Sequence, residues 1–419
     1  MSLSYKYRFG WLTSRVLFFL AIIGPGLITA SADNDAPGIA TYSMAGSAYG
    51  YSFLWVLLLI TLGEGVVQEM AARMGAMTGK GLADLIRERF GVRIAFFAML
   101  CLIMANLGTT AAQFAGIAAS LELFGLSRYL AVPLASLLVW LLIIRGSYHR
   151  VEKVLIALSL FSLSYIVSAF LMRPSWGEIL RQTVTPSLRL DSEYILMLLA
   201  MIGTTITPWG AFYLQATVVV DKGVNSDDYS YARLDVISGV VFGNAISAFI
   251  VICTATKIFG HTVVNSAAEA ARALAPLAGP WAEVLFGLGL MGASLLAASV
   301  LPLSTAYAVC EAFGWERGIN REMKEAPFFY GLYTVLIVLS AVAVLLPGMP
   351  LFRLMWLSQS VNAILLPIIL VLMLRMANDR QIMGRHANSR WTNGVAWVMI
   401  ALIVLATVFF FTGAMQGAP

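Results

Sequence analysis

The sequence predicts an all-α membrane protein with eleven membrane-spanning helices, and both its composition and its apolar segments support this. Hydrophobic residues make up 60% of the 419 residues and charged residues only 12%, a balance that soluble domains do not show. Apolar segments of about 20 residues, the length that crosses roughly 30 Å of hydrocarbon, recur along the chain. They lack the alternating pattern of membrane strands, so we expect helices to satisfy the backbone hydrogen bonds in lipid.

The apolar segments give the predicted organisation of the chain. The predicted spans are 16–46, 50–77, 94–124, 129–145, 152–172, 194–221, 232–257, 281–312, 328–347, 351–376 and 391–414. Residues 1–15 are predicted to form a tail and residues 16–419 a single polytopic domain, because no Pro/Gly/Ser-rich linker divides the chain. The first apolar segment has no small-residue cleavage site, so we interpret it as a retained span. The Ala-rich loop at about 258–280 is predicted to form a surface helix.

Basic residues are concentrated in alternate loops, which predicts the orientation in the membrane. The loops expected to be cytoplasmic contain Lys6, Arg8 and Arg15; Arg73, Lys80, Arg87, Arg89 and Arg93; Arg145, Arg150 and Lys153; Arg317, Arg321 and Lys324; and Arg375, Arg380, Arg385 and Arg390. The N-terminus is then cytoplasmic and the C-terminus extracellular, in a multi-pass protein of a bacterial-type inner membrane. The same loops account for the net charge of +5, so no nucleic-acid partner is expected.

Two predicted spans are interrupted by polar sequence that contains Gly and Pro. Span 1 contains Ser-Ala-Asp-Asn-Asp-Ala-Pro-Gly at 31–38, and span 6 contains Gly-Thr-Thr-Ile-Thr-Pro-Trp-Gly at 203–210. Span 6 comes five spans after span 1, and because five is odd it crosses the membrane in the opposite direction. This is the arrangement of an inverted repeat of spans 1–5 and 6–10 followed by span 11. Paired breaks indicate a substrate site at the midplane, and a proline kink in each helix is the alternative.

The chemistry of both breaks favours a cation. Asp33 and Asp35 lie in an apolar span, where an ionised carboxylate costs several kcal/mol unless a cation, a cavity or a partner compensates it. Pro37 and Gly38 allow the turn to unwind and to present carbonyl oxygens. In the second break, the hydroxyl and carbonyl oxygens of three threonines stand before a proline that lacks an N–H. These threonines are Thr204, Thr205 and Thr207. Carboxylate, hydroxyl and carbonyl oxygens are the ligands of hard cations.

These motifs resemble those of the NRAMP (natural resistance-associated macrophage protein) divalent metal transporters. Gly24-Pro-Gly26, followed by Asp35-Ala-Pro-Gly38, is similar to the first-helix signature of that family, and Gln68 to Phe90 is the most similar stretch. Further similarities are Arg145-Gly146 to Glu152, Met172 to Gly177, Gly203 onward, and Leu357-Ser-Gln359 with Pro367, so the resemblance covers nearly the whole chain. It implies a LeuT-like inverted repeat with helices 1 and 6 unwound at the midplane, transport by alternating access, and no cofactor.

Departures from the family pattern bear on the transported ion. Gly38 stands where the family has Asn, and Thr207-Pro208-Trp209 stands where it has Met-Pro-His. A thioether is a soft ligand that favours Mn²⁺ and Fe²⁺ over Mg²⁺, so a hydroxyl in its place should remove this discrimination. The altered pair resembles the NRAMP-related magnesium transporters, and it predicts Mg²⁺ as a substrate.

Other departures bear on proton coupling. Trp209 and Gln215 replace the histidines of helix 6, and Thr110 and Gln113 stand near the positions of the carboxylates of helix 3. None of these side chains titrates near neutral pH. These departures from the family pattern therefore predict passive, proton-uncoupled uptake.

Three polar residues elsewhere complete the candidate set. Glu64 is interpreted either as facing the cation or as a hydrogen-bonded packing residue. Asn244 and Gln359 match family residues that line the occluded site, and interhelical hydrogen bonding is their alternative role. The predicted metal ligands are Asp35, Thr207, Thr204, Asn34, Ala36 and Asp33. The residues predicted to line the cavity or to support the ligands are Gly38, Trp209, Glu64, Asn244, Gln359, Thr110 and Gln113.

The predicted function is uptake of divalent cations, with Mg²⁺ leading and Mn²⁺ also carried, the ion being partly hydrated. One alternative is a proton-coupled Mn²⁺/Fe²⁺ transporter in which Asp33, Asp35 or Glu64 moves the proton. Another is a transporter of amino acids or other organic solutes, against which the acids at the break argue. An enzyme is not expected, because the sequence has no His/Cys cluster and no HExxH motif. Besides the bilayer no partner is identified, and a monomer is compatible with the sequence.

Overall fold

The structure is a computed structural model that describes residues 34–145, 160–216, 229–319 and 321–416. Every regular element within these ranges is helical. The helices before residue 217 are α1 (Ala36–Tyr49), α2 (Leu54–Thr78), α3 (Leu82–Phe90), α4 (Val92–Glu122), α5 (Arg128–Ile144), α6 (Ser164–Met172), α7 (Trp176–Val184), α8 (Ser192–Thr205) and α9 (Pro208–Ala216). The later helices are α10 (Tyr229–Lys257), α11 (Ala267–Ala271), α12 (Ala275–Ala278), α13 (Ala282–Phe313), α14 (Pro327–Leu345), α15 (Leu351–Ala377), α16 (Arg380–Met383) and α17 (Arg390–Gln416).

The long helices lie where the apolar segments predicted them, so that span 94–124 is α4 and span 351–376 is α15. Within the described ranges, eight helical segments are long and apolar enough to cross a membrane. Two shorter apolar helices, Arg128–Ile144 and Phe161–Met172, correspond to predicted spans 4 and 5. The predicted tail, residues 1–15, and most of span 1 lie outside the described residues.

Helix α4 lies at the centre of the helix packing, where it contacts α13, α15 and α1, while α10 packs against α1 and α2. Glycines bring the backbones close at the helices that carry the predicted breaks. A Cβ atom at Gly203 would lie 1.9 Å from the carbonyl oxygen of Gln359, and one at Gly116 would lie 2.2 Å from the Cβ of Ala36. Small residues of this kind allow the close helix contacts that membrane proteins use.

The loop at 258–280 differs from the prediction of a surface helix. It forms a series of short turns, which are α11, the 3-10 turn Arg272–Leu274, α12 and a second 3-10 turn. Ala270 and Ala273 are completely buried, and the Ser168 hydroxyl of α6 donates to the Ala273 carbonyl at 2.9 Å. The small alanine side chains let this segment pack into the bundle, so it is a packed part of the fold.

Gly203→Ala should destabilise the protein, because the added methyl group meets the backbone of α15, and α15 cannot move away without disturbing its packing on α4. We expect the free energy of unfolding to fall by about 1–3 kcal/mol, as is usual for overpacking. Gly331→Ala in α14 is the matched control, since nothing lies within 4 Å of its added Cβ. Unfolding of both variants in mixed micelles measures the difference, and equal stabilities would contradict the close packing of α8 on α15.

Candidate cation site

Of the first break, the structure describes residues 34–38, at the N-terminus of α1. Asp35 is the N-cap residue with an extended backbone, and its Oδ1 accepts a hydrogen bond from the Gly38 N–H at 2.9 Å. Pro37 stands in the first turn, where its missing N–H is not needed. The sequence Asp-Ala-Pro-Gly therefore starts a helix by local capping. Asp33 lies outside the described residues.

The carboxylate of Asp35 is buried and has a second donor. Gln113 of α4 donates from Nε2 to the other oxygen, Oδ2. The Gln113 Oε1 atom and the Thr110 hydroxyl, three residues earlier on the same helix, are buried and have no hydrogen-bond partner in the part of the chain that the structure describes. Two neutral donors thus hold the carboxylate, and the side chain of one of them, Gln113, has an oxygen atom without a partner within the described ranges.

The second break separates α8 from α9 at Ile206 and Thr207. The Thr204 carbonyl has no in-helix donor, because the residue four positions later is Pro208, which has no N–H. Within the described ranges, the buried Thr204 hydroxyl also lacks a partner, and Thr207 is half-buried. The carbonyl end of α8 carries a partial negative charge. This break therefore presents oxygen atoms to a cation.

Hydrogen bonds and close packing connect the two breaks. The hydroxyls of Tyr42 in α1 and Thr205 in α8 lie 2.8 Å apart, and Thr205 also donates to the Met201 carbonyl. Ala36, the first residue of α1, is fully buried against Gly116 of α4. The start of α1 is therefore held against both α4 and α8.

The Asn34 side chain is used for packing against α10. Its Nδ2 donates to the Gly243 carbonyl, and its Oδ1 accepts from the Ser247 hydroxyl, both at 3.1 Å. These bonds fix the residue before Asp35 against α10.

Glu64 lies at the centre of a second buried polar cluster, between α2 and α10. Its two carboxylate oxygens accept from Gln68 Nε2 and from Asn244 Nδ2, each at 2.5 Å. Asn244 directly follows Gly243, whose carbonyl accepts the hydrogen bond from Asn34. The Glu64 cluster is therefore next to the first break. Asn244 thus makes an interhelical hydrogen bond, which was the alternative to its predicted role in lining the cation site.

The remaining predicted cavity residues differ in their surroundings. Gln359 donates to Ser358 and accepts from Asn362 within α15, and its backbone carbonyl lies against Gly203. Trp209 is buried, with its ring 6.0 Å from that of Tyr213. Its Nε1 has no hydrogen-bond partner among the described residues.

No group of three or more His, Cys, Asp and Glu side chains that could hold a metal occurs in the described ranges. Among the described residues, a cation at the two breaks would therefore contact one carboxylate, that of Asp35, and neutral oxygens. This ligand set suits a hard ion that keeps part of its water, because water can fill the remaining positions.

Several residues that build this region were not predicted from the sequence. Tyr42 on α1 itself bonds to α8, and Ser247 and Gly116 contact the first break from helices remote from it in the chain. Along α4, Asn106, Thr110 and Gln113 occur at the spacing of one helix face. That spacing was a signal in the sequence for a polar stripe leading away from Asp35.

Comparisons with known proteins agree with the fold. A family profile described as "Natural resistance-associated macrophage protein-like" matches residues 26–413. A divalent metal cation transporter, MntH, of Klebsiella pneumoniae (strain 342) is 26% identical over 407 residues, which are 95% of each chain. A crystal structure of the Eremococcus coleocola manganese transporter has a TM-score of 0.80 and 21% identity, covering 100% of this chain and 93% of that one. The closed form of Mhp1, a nucleobase-cation-symport-1 family transporter, has a TM-score of 0.57 at 14% identity, covering 95% of this chain and 90% of that one. The predicted all-α LeuT-like fold is confirmed.

Asn244→Leu should destabilise the protein, because it leaves one oxygen of a buried carboxylate without a donor. The expected cost is about 1–3 kcal/mol. In a cycle with Glu64→Leu, the double variant should be more stable than the sum of the single effects predicts, by about 0.5–3 kcal/mol. Unfolding of the three variants in mixed micelles measures this coupling. Additive effects would show that the Glu64 carboxylate does not depend on Asn244.

Proposed function

Because the chain belongs to the natural resistance-associated macrophage protein-like family, we propose that it carries divalent metal cations across the membrane, with Mg²⁺ as the leading substrate and Mn²⁺ also carried. It is a multi-pass membrane protein and not an enzyme. The observation that supports the proposal best is the buried Asp35 carboxylate at the start of α1, together with a second helix break that offers oxygen ligands. Residues 16–419 form the transport domain in this proposal.

The proposed ligand set combines one charge with neutral oxygens. Asp35 binds the ion directly or through water, and Thr204 and Thr207 provide carbonyl and hydroxyl oxygens. The Asn34 carbonyl precedes α1 and is the better backbone ligand there, since the Ala36 carbonyl lies where helix hydrogen bonds form. Asp33, in the same break, would add a second negative charge.

Unpartnered buried oxygen atoms on α4 and α8 favour an ion that keeps part of its hydration shell. Gln113 Oε1 and the hydroxyls of Thr110 and Thr204 are buried and have no partner in the described part of the chain. Buried polar atoms normally have a partner, and the hydrogen atoms of ion-bound water could supply it. Mg²⁺ gives up water reluctantly and prefers octahedral oxygen coordination.

The lack of a sulfur ligand at the second break supports Mg²⁺. Thr207 has a hydroxyl at the position next to Pro208, so the site as proposed has only hard ligands. Hard oxygen ligands suit Mg²⁺ and Ca²⁺ as well as Mn²⁺, and Gly38 adds no side chain to the space around Asp35. Ca²⁺ would then compete for the site.

Passive uptake needs no proton. Gln215, which stands where the family has a histidine, makes a structural contact here: its Nε2 donates to the Lys80 carbonyl at 2.9 Å. Gln113, the direct neighbour of Asp35, does not titrate. A divalent ion moving inward gains about 4.6 kcal/mol per 100 mV of membrane potential, twice the value for a single charge.

Alternating access requires contacts on one side of the bundle to break. The Gln215 bond ties α9 to the segment between α2 and α3. Just after this segment, the Asp84 N–H in the first turn of α3 donates to the Glu311 carboxylate of α13 at 3.3 Å. We assign this side to the cytoplasm because the basic loops lie there, and its opening would separate α9 and α13 from α3.

A proton-coupled Mn²⁺/Fe²⁺ transporter is the second candidate. The name of the Eremococcus coleocola relative favours only its choice of Mn²⁺, since it describes a manganese transporter. In this case Asp35 or Glu64 would have to move the proton.

Uptake into proteoliposomes tests the proposal. With an imposed inward-negative potential, Mg²⁺ and Mn²⁺ supplied separately should each enter, and an internal pH dye should report no proton influx. Asp35→Ala should lower the uptake of both ions at least about tenfold, because the charged ligand is lost. Glu283→Ala, at an exposed acid at the start of α13, should leave uptake unchanged. Exclusion of Mg²⁺ together with Mn²⁺-driven proton influx would establish the second candidate instead.

Thr207→Met should shift the preference from Mg²⁺ towards Mn²⁺, because it introduces a thioether at the break. We expect the ratio of Mn²⁺ to Mg²⁺ uptake to rise about tenfold, which corresponds to ~1.4 kcal/mol. Thr207→Ser keeps the hydroxyl and serves as the matched control. An unchanged ratio in the methionine variant would show that residue 207 does not contact the ion.

A further inference from the structure

A basic pocket of about 500 Å³ lies between the end of α3, the end of α15 and the start of α17, away from the two helix breaks. Arg89, Arg375 and Arg380 line it together with Asp379. Its volume lies in the range of ligand sites. Nothing in the proposed transport of a cation uses it, and its charge would repel one.

The charges in this pocket are unevenly compensated. Arg89 forms an ion pair with Asp379, Nη2 to Oδ2 at 2.8 Å, and Asp379 Oδ1 also accepts from the Gln381 N–H at the start of α16. Arg375 and Arg380 are exposed and, within the described ranges, form no ion pair with an acidic group. Three arginines against one aspartate leave two positive charges in excess. An anion with several acceptor oxygens would satisfy both free guanidinium groups.

The pocket also reaches the surface that faces lipid. Trp397 of α17 lines it and is 51% exposed, and Leu374 adds an apolar wall. The exposed face of α17 continues from there with apolar side chains such as Val398 and Leu405. Tryptophan is enriched where hydrocarbon meets the headgroups. The basic end of the pocket therefore lies at headgroup level, and its apolar end opens towards acyl chains.

We propose that this pocket binds the headgroup of an anionic phospholipid. Arg375 and Arg380 hold the phosphate, and an acyl chain lies along Trp397 and the exposed apolar face of α17. Basic pockets between helices on the cytoplasmic side are suited to such headgroups. A bound lipid connects α3, α15 and α17, and α15 packs on α8 of the second break through Gly203. The lipid would thus brace the frame of the cation site.

The test measures lipid binding to the purified full-length chain in a neutral detergent, by native mass spectrometry and by thermal unfolding. Phosphatidylglycerol should bind and raise the unfolding temperature, and phosphatidylcholine should not. Arg375→Gln with Arg380→Gln should weaken phosphatidylglycerol binding about 25-fold, from roughly 1 kcal/mol for each basic residue near an anionic headgroup. The binding should also weaken with added salt.

Controls separate this pocket from general attraction to basic loops. Arg321→Gln with Lys324→Gln removes two exposed charges outside the pocket, and phosphatidylglycerol binding should stay as in the unchanged chain. Arg375→Lys with Arg380→Lys keeps the charge and should retain most of the binding, which guards against a folding defect in the glutamine variant. Equal losses in both glutamine pairs would overturn the proposal. Equal stabilisation by inorganic phosphate alone would also overturn it, since the pocket would then bind a free anion.

Discussion

The candidate site depends on how one carboxylate is held inside the membrane. Asp35 caps α1 through the Gly38 N–H and accepts from Gln113 of α4, so both of its oxygens have donors while the group stays buried. Neutral donors can hold a carboxylate in position without cancelling its charge. The negative charge of an ionised Asp35 therefore remains available to a cation, at the residue that caps the start of α1.

The walls around this charge are polar and uncharged in the part of the chain that the structure describes. Amide and hydroxyl groups such as Asn34, Ser247 and Thr205 bond to each other or to backbone carbonyls. Glu64 is the nearby exception, and two amides compensate it. Bonds of this kind fix the positions of α1, α8 and α10, while oxygen atoms on α4 and α8 remain for an ion or its water.

Close backbone packing sets the distances between the helices that carry the site. Gly116 lets α1 approach α4, and Gly203 lets α8 approach α15. Apolar helices gain little from hydrophobic burial in lipid, so packing and hydrogen bonds hold them together. A site built between helices needs this precision, because a small shift would move Asp35 away from Gln113. The same frame reaches the basic pocket through α15.

The sequence by itself determined the membrane class, the positions of the long helices and the two breaks, because apolar length, Pro, Gly and caps act locally. It also identified Asp35 and Thr204 as candidate ligands, since an acid and a hydroxyl in an apolar span stand out. Only the tertiary structure decided which distant residues meet them. The contacts of Asp35 with Gln113, of Tyr42 with Thr205 and of Glu64 with Asn244 join helices far apart in the chain. Such contacts follow from helix packing, which local sequence patterns do not encode.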